Sequence, residues 1–386
     1  MTTMTSPFTC KAVHKTLAAL AAVWVSVCMP TLAADITVVQ IAPLTGVLAS
    51  TGQQMVLGGK LYFDWINANG GIYGAKIKHE VLDDGYKVEE TVRLTKEALD
   101  KPEVIALFGF AGTANIAKLL ADGVLDAGGA PLVAPYTGGE VLRSPFNPYI
   151  FHVRAGYADE TEHIVKQVAT LGTTRIAVMY QNDAFGKAGL AGVEAAVAKR
   201  NMKLVMTAPY ERNTDQVTDA VRQIMASDAQ AVIMISVNRS TAAFASQYRQ
   251  AGGGGQLYNI SVVNPDELVK LAGLKAVHGL GISQVVPYPY MANKPVVREY
   301  QKLLAQYGGG QPINYTSFEE FLGAKVLVEG LRRAGPNPTR ARLLKALESM
   351  GNFDLGGSIV GYSAANRIGS RYVEVTVIGG SGKLLR

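Results

Sequence analysis

The chain has 386 residues, which is too many for one ordinary domain and predicts two lobes. A hydrophobic content of 48% with 41 glycines excludes a disordered chain and favours a loop-rich α/β protein. The formal net charge is +6, but the charges are scattered and no run of Lys or Arg occurs. Composition therefore gives no support for nucleic-acid binding.

The first 34 residues predict a secretory signal peptide. Basic residues precede an apolar run at 16–27, and small residues ending at Ala33 suit cleavage. A run of about 12 apolar residues is too short to anchor a protein in a membrane. Cys10 and Cys28 both lie in this segment, so we expect a mature protein without disulfides, located in the periplasm.

The stretch VIALFGFAGTAN, which begins at Val104, predicts a strand, a tight turn and the start of a helix. Residues 104–108 are all apolar, as in a strand of a parallel sheet that is buried on both faces. Gly112 allows a tight turn, and Thr113 can cap a helix predicted over 115–126. Free N–H groups and the helix dipole would then favour an anion. Taken alone, the stretch fits an ordinary βα turn better.

Residues 35–153 alternate between apolar runs of strand length and amphipathic runs of helix length. The predicted elements are strand 35–42, helix 54–67, strand 77–82, helix 88–99, strand 104–108, helix 115–126 and strand 131–134. Strict alternation with short turns predicts a doubly wound parallel sheet with its helices, which we call lobe one.

The alternation restarts in residues 154–285, which predict a second unit of the same kind, called lobe two. Its predicted elements are helix 159–170, strand 175–180, helix 187–199, strand 203–208, helix 215–226, strand 231–235, helix 241–250 and strand 257–262.

Residues 286–352 have a helical pattern without intervening strands. We expect these amphipathic helices to pack on lobe one, so the chain returns to that lobe. The predicted helices are 296–307, 318–333 and 339–349. Residues 353–386 alternate like strands, and we assign them to the hinge and to C-terminal strands. The predicted multi-strand hinge has crossings near Arg154, Val285 and Asn352.

The expected ligand site is the cleft between the two lobes. Ligands of open α/β sheets bind beyond the carboxyl ends of the strands, and two facing lobes bring these ends together. The turns that follow predicted strands hold Gly112, Thr113, Thr137, Phe185 and Asn238. Phe110 and Tyr136 belong either to the core or to the cleft wall, and the turn position of Tyr136 favours the cleft.

Several motifs together resemble the branched-chain amino-acid-type (leucine/isoleucine/valine-binding) solute-binding proteins of bacterial ABC transporters. They are IAPLTG at 41–46, NGGIYG at 69–74, Asp83-Asp84, the glycine turn before Thr113, PYTGGEVL at 135–142 and NDAFG at 182–186. The resemblance covers nearly the whole chain after the predicted signal. It implies the type I periplasmic binding fold, in which two lobes close on a ligand.

The same resemblance implies roles for individual residues. The hydroxyl of Thr113 and the turn of Thr137 would hold the ligand's carboxylate, and Phe185 would close from lobe two. The position that usually carries an acid for the ligand's ammonium is occupied here by Ser261. A carboxylate-binding half is therefore kept and an ammonium-binding half is lost, unless Asp266 or Glu267 supplies the acid.

The sequence gives no support for other site chemistry. Residues 43–52 lack the glycine spacing of a dinucleotide fold, and no Walker A loop or GxSxG elbow occurs. The histidines have no metal-binding spacing and are interpreted as structural. We therefore predict no catalytic residue, no metal and no cofactor.

The predicted function is that of a periplasmic substrate-binding component of an ABC importer. Its expected partners are a small carboxylate or amino acid and an inner-membrane ABC permease, with a monomeric state and no nucleic acid. The preferred ligand is an aromatic or branched acid without an α-ammonium, and branched-chain amino acids are the alternative. A ligand-sensing periplasmic regulator of the same fold is the alternative function, and an exported enzyme is the weakest hypothesis.

Overall fold

The computed structural model describes residues 1–6 and 34–386. The signal-peptide prediction falls mainly on residues 7–33, which lie outside the described part. Among the described residues, no helix is both long enough and apolar enough to cross a membrane.

Lobe one is built on a parallel sheet, as predicted. Its strands are β1 (Ile36–Ala42), β2 (Ile77–Asp83), β3 (Val104–Phe108), β4 (Leu132–Val133) and β5 (Ile150–Phe151). Its first helices are α1 (Ala49–Ala68), α2 (Val88–Leu99), α3 (Thr113–Ala121) and α4 (Val124–Gly128). The strand order is β2-β1-β3-β4-β5 and every neighbouring pair is parallel.

One helix of lobe one differs from the prediction. The single helix expected over 115–126 is split into α3 and α4, and Gly123 between them has φ = 63°. This left-handed conformation ends a helix at low cost only when the residue is glycine. The amphipathic pattern continues across the break, which is why the pattern alone predicts one helix.

Lobe two repeats the same topology. Its helices are α5 (Tyr157–Thr170), α6 (Ala184–Ala198), α7 (Thr218–Met225), α8 (Asn238–Gln250), α9 (Pro265–Ala272) and α10 (Leu274–Val277). Its parallel strands are β6 (Arg175–Gln181), β7 (Lys203–Tyr210), β8 (Ala231–Ile235), β9 (Gln256–Asn259) and β10 (Gly281–Gln284). The strand order is β7-β6-β8-β9-β10, which corresponds strand for strand to β2-β1-β3-β4-β5 in lobe one. Each sheet therefore has one point where the direction of winding reverses.

The chain then returns to lobe one through helices. These are α11 (Pro295–Tyr307), α12 (Tyr315–Ala334) and α13 (Arg340–Glu348). Helix α12 packs along α1, where a Cβ atom on Gly58 would lie only 2.2 Å from the carbonyl oxygen of Ser317. Glycine is required there because the two helix backbones approach so closely.

The last predicted hinge crossing lies later in the chain than expected. Asn352 lies in the hairpin of β11 (Gly351–Asp354) and β12 (Ile359–Tyr362), so the third crossing is not at that residue. The chain next bridges His152 through Ile368, and β13 (Glu374–Ile378) and β14 (Leu384–Leu385) then extend the sheet of lobe two. Strand alternation in the sequence indicates which face is buried but not which strand is the partner.

Candidate ligand-binding site

A narrow cavity lies where the carboxyl ends of both sheets meet. Its volume is about 20 Å³, which is room for roughly one water molecule. The lining residues are Leu48, Thr51, Tyr86, Ala111, Gly112, Tyr136, Tyr157, Phe185, Val237 and Val262. Apart from Thr51 on α1, each of them follows the end of a parallel strand, from β1 to β5 in lobe one and from β6, β8 and β9 in lobe two. This is the ligand position expected for open α/β sheets.

The cavity wall is mainly aromatic. Tyr86, Tyr136, Tyr157 and Phe185 are all buried, and the rings of Tyr157 and Phe185 meet edge to face with centroids 5.4 Å apart. Among the described residues, no Asp, Glu, Lys or Arg side chain lines the cavity. The wall therefore suits an apolar or aromatic ligand body and gives a charged group little compensation.

Phe185 is held in the wall by a helix cap. The Asp183 carboxylate accepts hydrogen bonds from the backbone N–H groups of Phe185, at 3.0 Å, and Gly186, at 3.2 Å. Asp183 is the N-cap of α6, and its side chain satisfies donors that the first helical turn leaves free. The NDAFG motif thus places an aromatic ring from lobe two against the cavity.

Thr113 and Thr137 form a buried hydroxyl pair at the end of the lobe-one sheet. Their Oγ1 atoms are 2.7 Å apart, and neither residue is exposed. The hydroxyl of Thr137 also accepts hydrogen bonds from the N–H of Gly139, at 3.2 Å, and from the hydroxyl of Tyr157, at 3.3 Å. A Cβ atom on Gly139 would lie 2.4 Å from the Thr113 methyl, so only glycine allows this approach.

Counting hydrogen bonds shows that one hydroxyl proton of the Thr113–Thr137 pair has no acceptor within the pair. A hydroxyl offers one proton and two lone pairs, and both lone pairs of Thr137 are used by Gly139 and Tyr157. Thr137 must therefore donate to Thr113, and the proton of Thr113 remains for another acceptor. Thr113 is also the first residue of α3, where free N–H groups and the helix dipole favour an anion.

Of the eight predicted site residues, only Gly112, Tyr136 and Phe185 line the cavity; Thr113 and Thr137 are buried behind its wall, and three others lie farther from it. Phe110 is fully buried in the core of lobe one, and only its carbonyl oxygen reaches the site region, accepting the Tyr136 N–H at 2.8 Å. Ser261 is buried beside Arg154, whose guanidinium donates to the Ser261 hydroxyl. Asn238 begins α8 and lies next to the wall, where its side-chain amide donates to Thr51 at 3.4 Å.

A buried ion cluster around Arg154 is the feature that the sequence did not reveal. Arg154 lies 3.1 Å from Glu160 and 3.4 Å from Glu319, and none of these side chains is more than 4% exposed. Glu160 also accepts the backbone N–H of Ser261 at 2.8 Å. The acid nearest Ser261 is thus already neutralised by an arginine and has no charge to spare for a ligand's ammonium.

Burial also changes the protonation of the cluster. It raises the pKa of Glu319 to about 7, although the neighbouring Arg154 acts in the opposite direction. The adjacent Glu320 is raised well above the ordinary pKa of a glutamate, again chiefly by burial and then by Glu319. Desolvation outweighs the attraction of one arginine because Arg154 is already shared with Glu160.

Glu267 lies close to the cavity but is not part of its wall. Its carboxylate accepts hydrogen bonds from the hydroxyl of Ser50 and, at 2.7 Å, from the side-chain amide of Asn238. Ser50 and Thr51 are neighbours at the start of α1, so Glu267 joins lobe two to the lobe-one side of the cavity. The exposed Asp266 lies farther out, beside Tyr288 and Tyr290.

A larger open depression of about 620 Å³ lies at the amino ends of β1 and β3. Its cation, Arg340, donates to the carbonyl oxygens of Leu99, Lys101, Val104 and Gly128 at 2.7–2.9 Å. These carbonyls lie at the ends of α2 and α4 and at the start of β3, so the guanidinium stabilises chain termini. The depression lies away from the carboxyl ends of the strands, where ligands of this sheet type bind.

The part of the chain that the structure describes contains no candidate metal site. In residues 1–6 and 34–386, no group of three or more His, Cys, Asp or Glu side chains could hold a metal ion. His79 pairs with the Gln40 side chain at 2.9 Å, and burial lowers its pKa to about 4.

Residues 35–383 match the family described as periplasmic binding protein. The chain belongs to this family. The prediction of a leucine/isoleucine/valine-type solute-binding protein with the type I periplasmic binding fold is thereby confirmed. Members of this family bind substrates and are not enzymes, so the same holds for this chain.

Individual relatives agree with the family. A substrate-binding periplasmic protein from Ralstonia solanacearum is 38% identical in sequence, with a TM-score of 0.87, over 91% of this chain and 99% of that one. An extracellular ligand-binding receptor from Verminephrobacter eiseniae is 31% identical, with a TM-score of 0.84, over 91% of this chain and all of that one. The Leu/Ile/Val-binding protein homolog 8 of Brucella abortus is 23% identical over 90% of this chain and 88% of its own length.

Proposed function

We propose that this periplasmic binding protein is exported to the periplasm, where it delivers a small carboxylate to the permease of an ABC importer. The mechanism is closure of two lobes on the ligand, without covalent chemistry. The cavity supports this proposal because residues from both sheets contribute to its wall. A ligand that contacts both lobes stabilises the closed form relative to the open one, and only that difference can drive closure.

The proposal that the ligand is a carboxylate rests mainly on the unused hydroxyl proton of Thr113. Thr137 has its lone pairs filled and its own proton given to Thr113, so the pair leaves one unused donor at the start of α3, directly behind Gly112 of the cavity wall. A carboxylate oxygen is a good acceptor at such a place, because hydrogen bonds to ionised groups are the stronger ones. The positive end of the helix adds to the attraction.

The wall and the ion cluster together favour an acid without an α-ammonium. An ammonium enclosed by Tyr86, Tyr136 and Phe185 would lose its water and find no carboxylate in the wall, which is costly. Glu160 is occupied by Arg154, and Ser261 brings no charge. The ligand class we propose is therefore a monocarboxylic acid with a compact aromatic or branched apolar body.

Branched-chain amino acids are the second candidate, and one specific observation favours them. Glu267 is linked through Asn238 to Thr51, so a modest rearrangement brings a carboxylate to the wall. The name of the Brucella relative, a Leu/Ile/Val-binding protein homolog, belongs to that protein but agrees with this option.

Thermal-shift screening separates the two ligand classes. The acids are benzoate, phenylacetate and isovalerate, and the amino acids are leucine, isoleucine and valine. A ligand at about 100 times its dissociation constant adds about 2.7 kcal/mol to the free energy of unfolding, so binding is readily detected. We expect a shift with at least one acid and none with the amino acids. A shift with the amino acids alone would overturn the proposed class and direct attention to Glu267→Gln. Mass spectrometry of compounds released from the denatured protein identifies any ligand outside this panel.

A further inference from the structure

Arg212 connects the two lobes beside the cavity. It follows β7 in lobe two and is held there by Asp183, whose carboxylate lies 2.6 Å from one guanidinium nitrogen. The other terminal nitrogen donates to lobe one, to the carbonyl oxygen of Tyr86 and to the side-chain oxygen of Asn115, both at 2.7 Å. One planar cation thus uses its two ends on different lobes, as the fork geometry of arginine permits.

The same guanidinium also lies over a ring of the cavity wall. Its central carbon is 3.7 Å from the centroid of the Tyr86 ring, and Tyr86 lines the cavity. The backbone of Tyr86 has φ = 61°, a left-handed conformation that is unfavourable for a bulky residue. Asp84 supports this conformation by accepting the Tyr86 N–H at 2.9 Å. Arg212 therefore contacts both the ring and the carbonyl oxygen of Tyr86, whose backbone conformation is unfavourable without such support.

The partners of Arg212 on lobe one are held by other residues of the same lobe. The side-chain amide of Asn115 donates to the hydroxyl of Thr91 at 2.7 Å, and Thr91 donates to Asp84 at 2.6 Å. The Asn115 oxygen is thus already oriented for an incoming donor. On lobe two, Asp183 orients Arg212 and also caps the helix that carries Phe185. Both halves of the contact are preorganised within their own lobes, so closure costs little further ordering.

We propose that Arg212 is a positioning residue that stabilises the closed arrangement of the lobes and sets the Tyr86 ring against the ligand. The proposal rests on the closing mechanism of the proposed function, because every contact of Arg212 with lobe one is lost when the lobes separate. Its role is separate from recognition of the carboxylate, since Arg212 does not line the cavity. A substitution of Arg212 therefore lowers the population of the closed form whichever ligand is bound.

The test measures closure without any ligand, so that ligand identity does not matter. In the full chain with Cys10→Ser and Cys28→Ser, the changes Ser50→Cys and Glu267→Cys introduce one thiol on each lobe. The native side chains at these positions are in hydrogen-bond contact across the lobes, so a short bifunctional methanethiosulfonate links them only when the lobes are closed. The rate of linking is then proportional to the closed population.

Arg212→Met is expected to lower the linking rate by about 10- to 100-fold, the loss typical of hydrogen bonds from a charged donor. Arg212→Lys should show an intermediate rate, because lysine keeps the charge near Asp183 but lacks the planar fork. Asn115→Ala should reduce the rate less, because Arg212 keeps its contacts with Tyr86, and its combination with Arg212→Met should add little to Arg212→Met alone, since the contact it removes is already lost. The matched control is Arg239→Met in lobe two, whose arginine pairs with Asp215 of the same lobe and should leave the rate unchanged.

Two results would overturn the proposal, and they differ in meaning. An unchanged linking rate in Arg212→Met, with or without a lower melting temperature, would show that Arg212 has no part in closure. Failure of every protein to link, including the one with native Arg212, would remove the closing mechanism itself and the proposed function with it.

Discussion

The guanidinium of Arg154 lies 3.1 Å from the carboxylate of Glu160, and both side chains are completely buried. Arg154 lies where the chain first leaves lobe one, and Glu160 lies on α5 at the start of lobe two. The pair therefore occupies the hinge. Two buried charges are tolerated in such a place only because each compensates the other.

We predict that Glu160→Gln destabilises the protein by about 3–5 kcal/mol, because it leaves Arg154 with too little compensating charge in a dry environment. Urea unfolding followed by circular dichroism measures the change. The control is Glu162→Gln on the same helix, which loses partly exposed pairs with Lys199 and Arg200 and should cost no more than about 1 kcal/mol. Equal effects of the two substitutions would show that the hinge pair is not needed for stability.

Glu319 predicts a specific pH dependence of stability. Burial raises its pKa in the folded protein from 4.5 to about 7. Between these values the unfolded chain has released its proton and the folded chain has not, so stability decreases as the pH rises. Such a pKa difference corresponds to about 3 kcal/mol across the window. The free energy of unfolding of Glu319→Gln, minus that of the unsubstituted protein, should therefore increase between pH 4.5 and pH 7.

Comparing Glu319→Gln with the unsubstituted protein separates the effect of Glu319 on stability from that of the histidines. Burial lowers the pKa of His79 to about 4, which by itself makes stability rise with pH below about 6.5. That contribution is common to both proteins and cancels in the difference. Urea titrations at pH 5 and pH 7.5 are sufficient, and a difference that does not change with pH would contradict the protonation of buried Glu319.

Thr113→Val should weaken carboxylate binding by about 10- to 150-fold, the loss expected for one hydrogen bond to a charged group. Valine keeps the shape of threonine and removes the donor that the hydroxyl pair leaves unused. Calorimetry with the acid that gives the largest thermal shift measures the change. Thr95→Val is the control, because Thr95 is equally buried but donates to the backbone of α2. Unchanged affinity in Thr113→Val would end its assignment as the carboxylate donor.

Ligand binding should also reduce the radius of gyration in solution. The chain crosses between the sheets after β5, after β10 and before β13, and these segments provide a hinge about which the lobes turn. Small-angle X-ray scattering with and without the most stabilising compound of the thermal-shift panel records the change. The same radius in both states, at saturation, would argue against closure.

The sequence by itself determined the elements and the turns that bear the site. Runs such as VIALF, and helices with apolar residues at regular spacing, depend on periodicities of a few residues that tertiary context reinforces. Gly112, Thr113 and Thr137 were recognisable because glycine turns after strands are local in the chain, but the predicted cap is wrong: α3 begins at Thr113 itself, with Gly112 as its N-cap and no side-chain cap. Alternation also predicted a doubly wound parallel sheet, whereas the order of its strands came from the structure.

Only the tertiary structure decided which side chains meet. Arg154 and Glu319 are 165 residues apart in the chain, and neither residue stands in a motif that indicates the other. The same applies to Arg212 with Tyr86, to the place of Ser261 in the ion cluster, and to the pairing of β13 with β10. Local patterns record which face of an element is buried. The partner buried against it is set by packing between distant segments, which leaves no periodic signal in the chain.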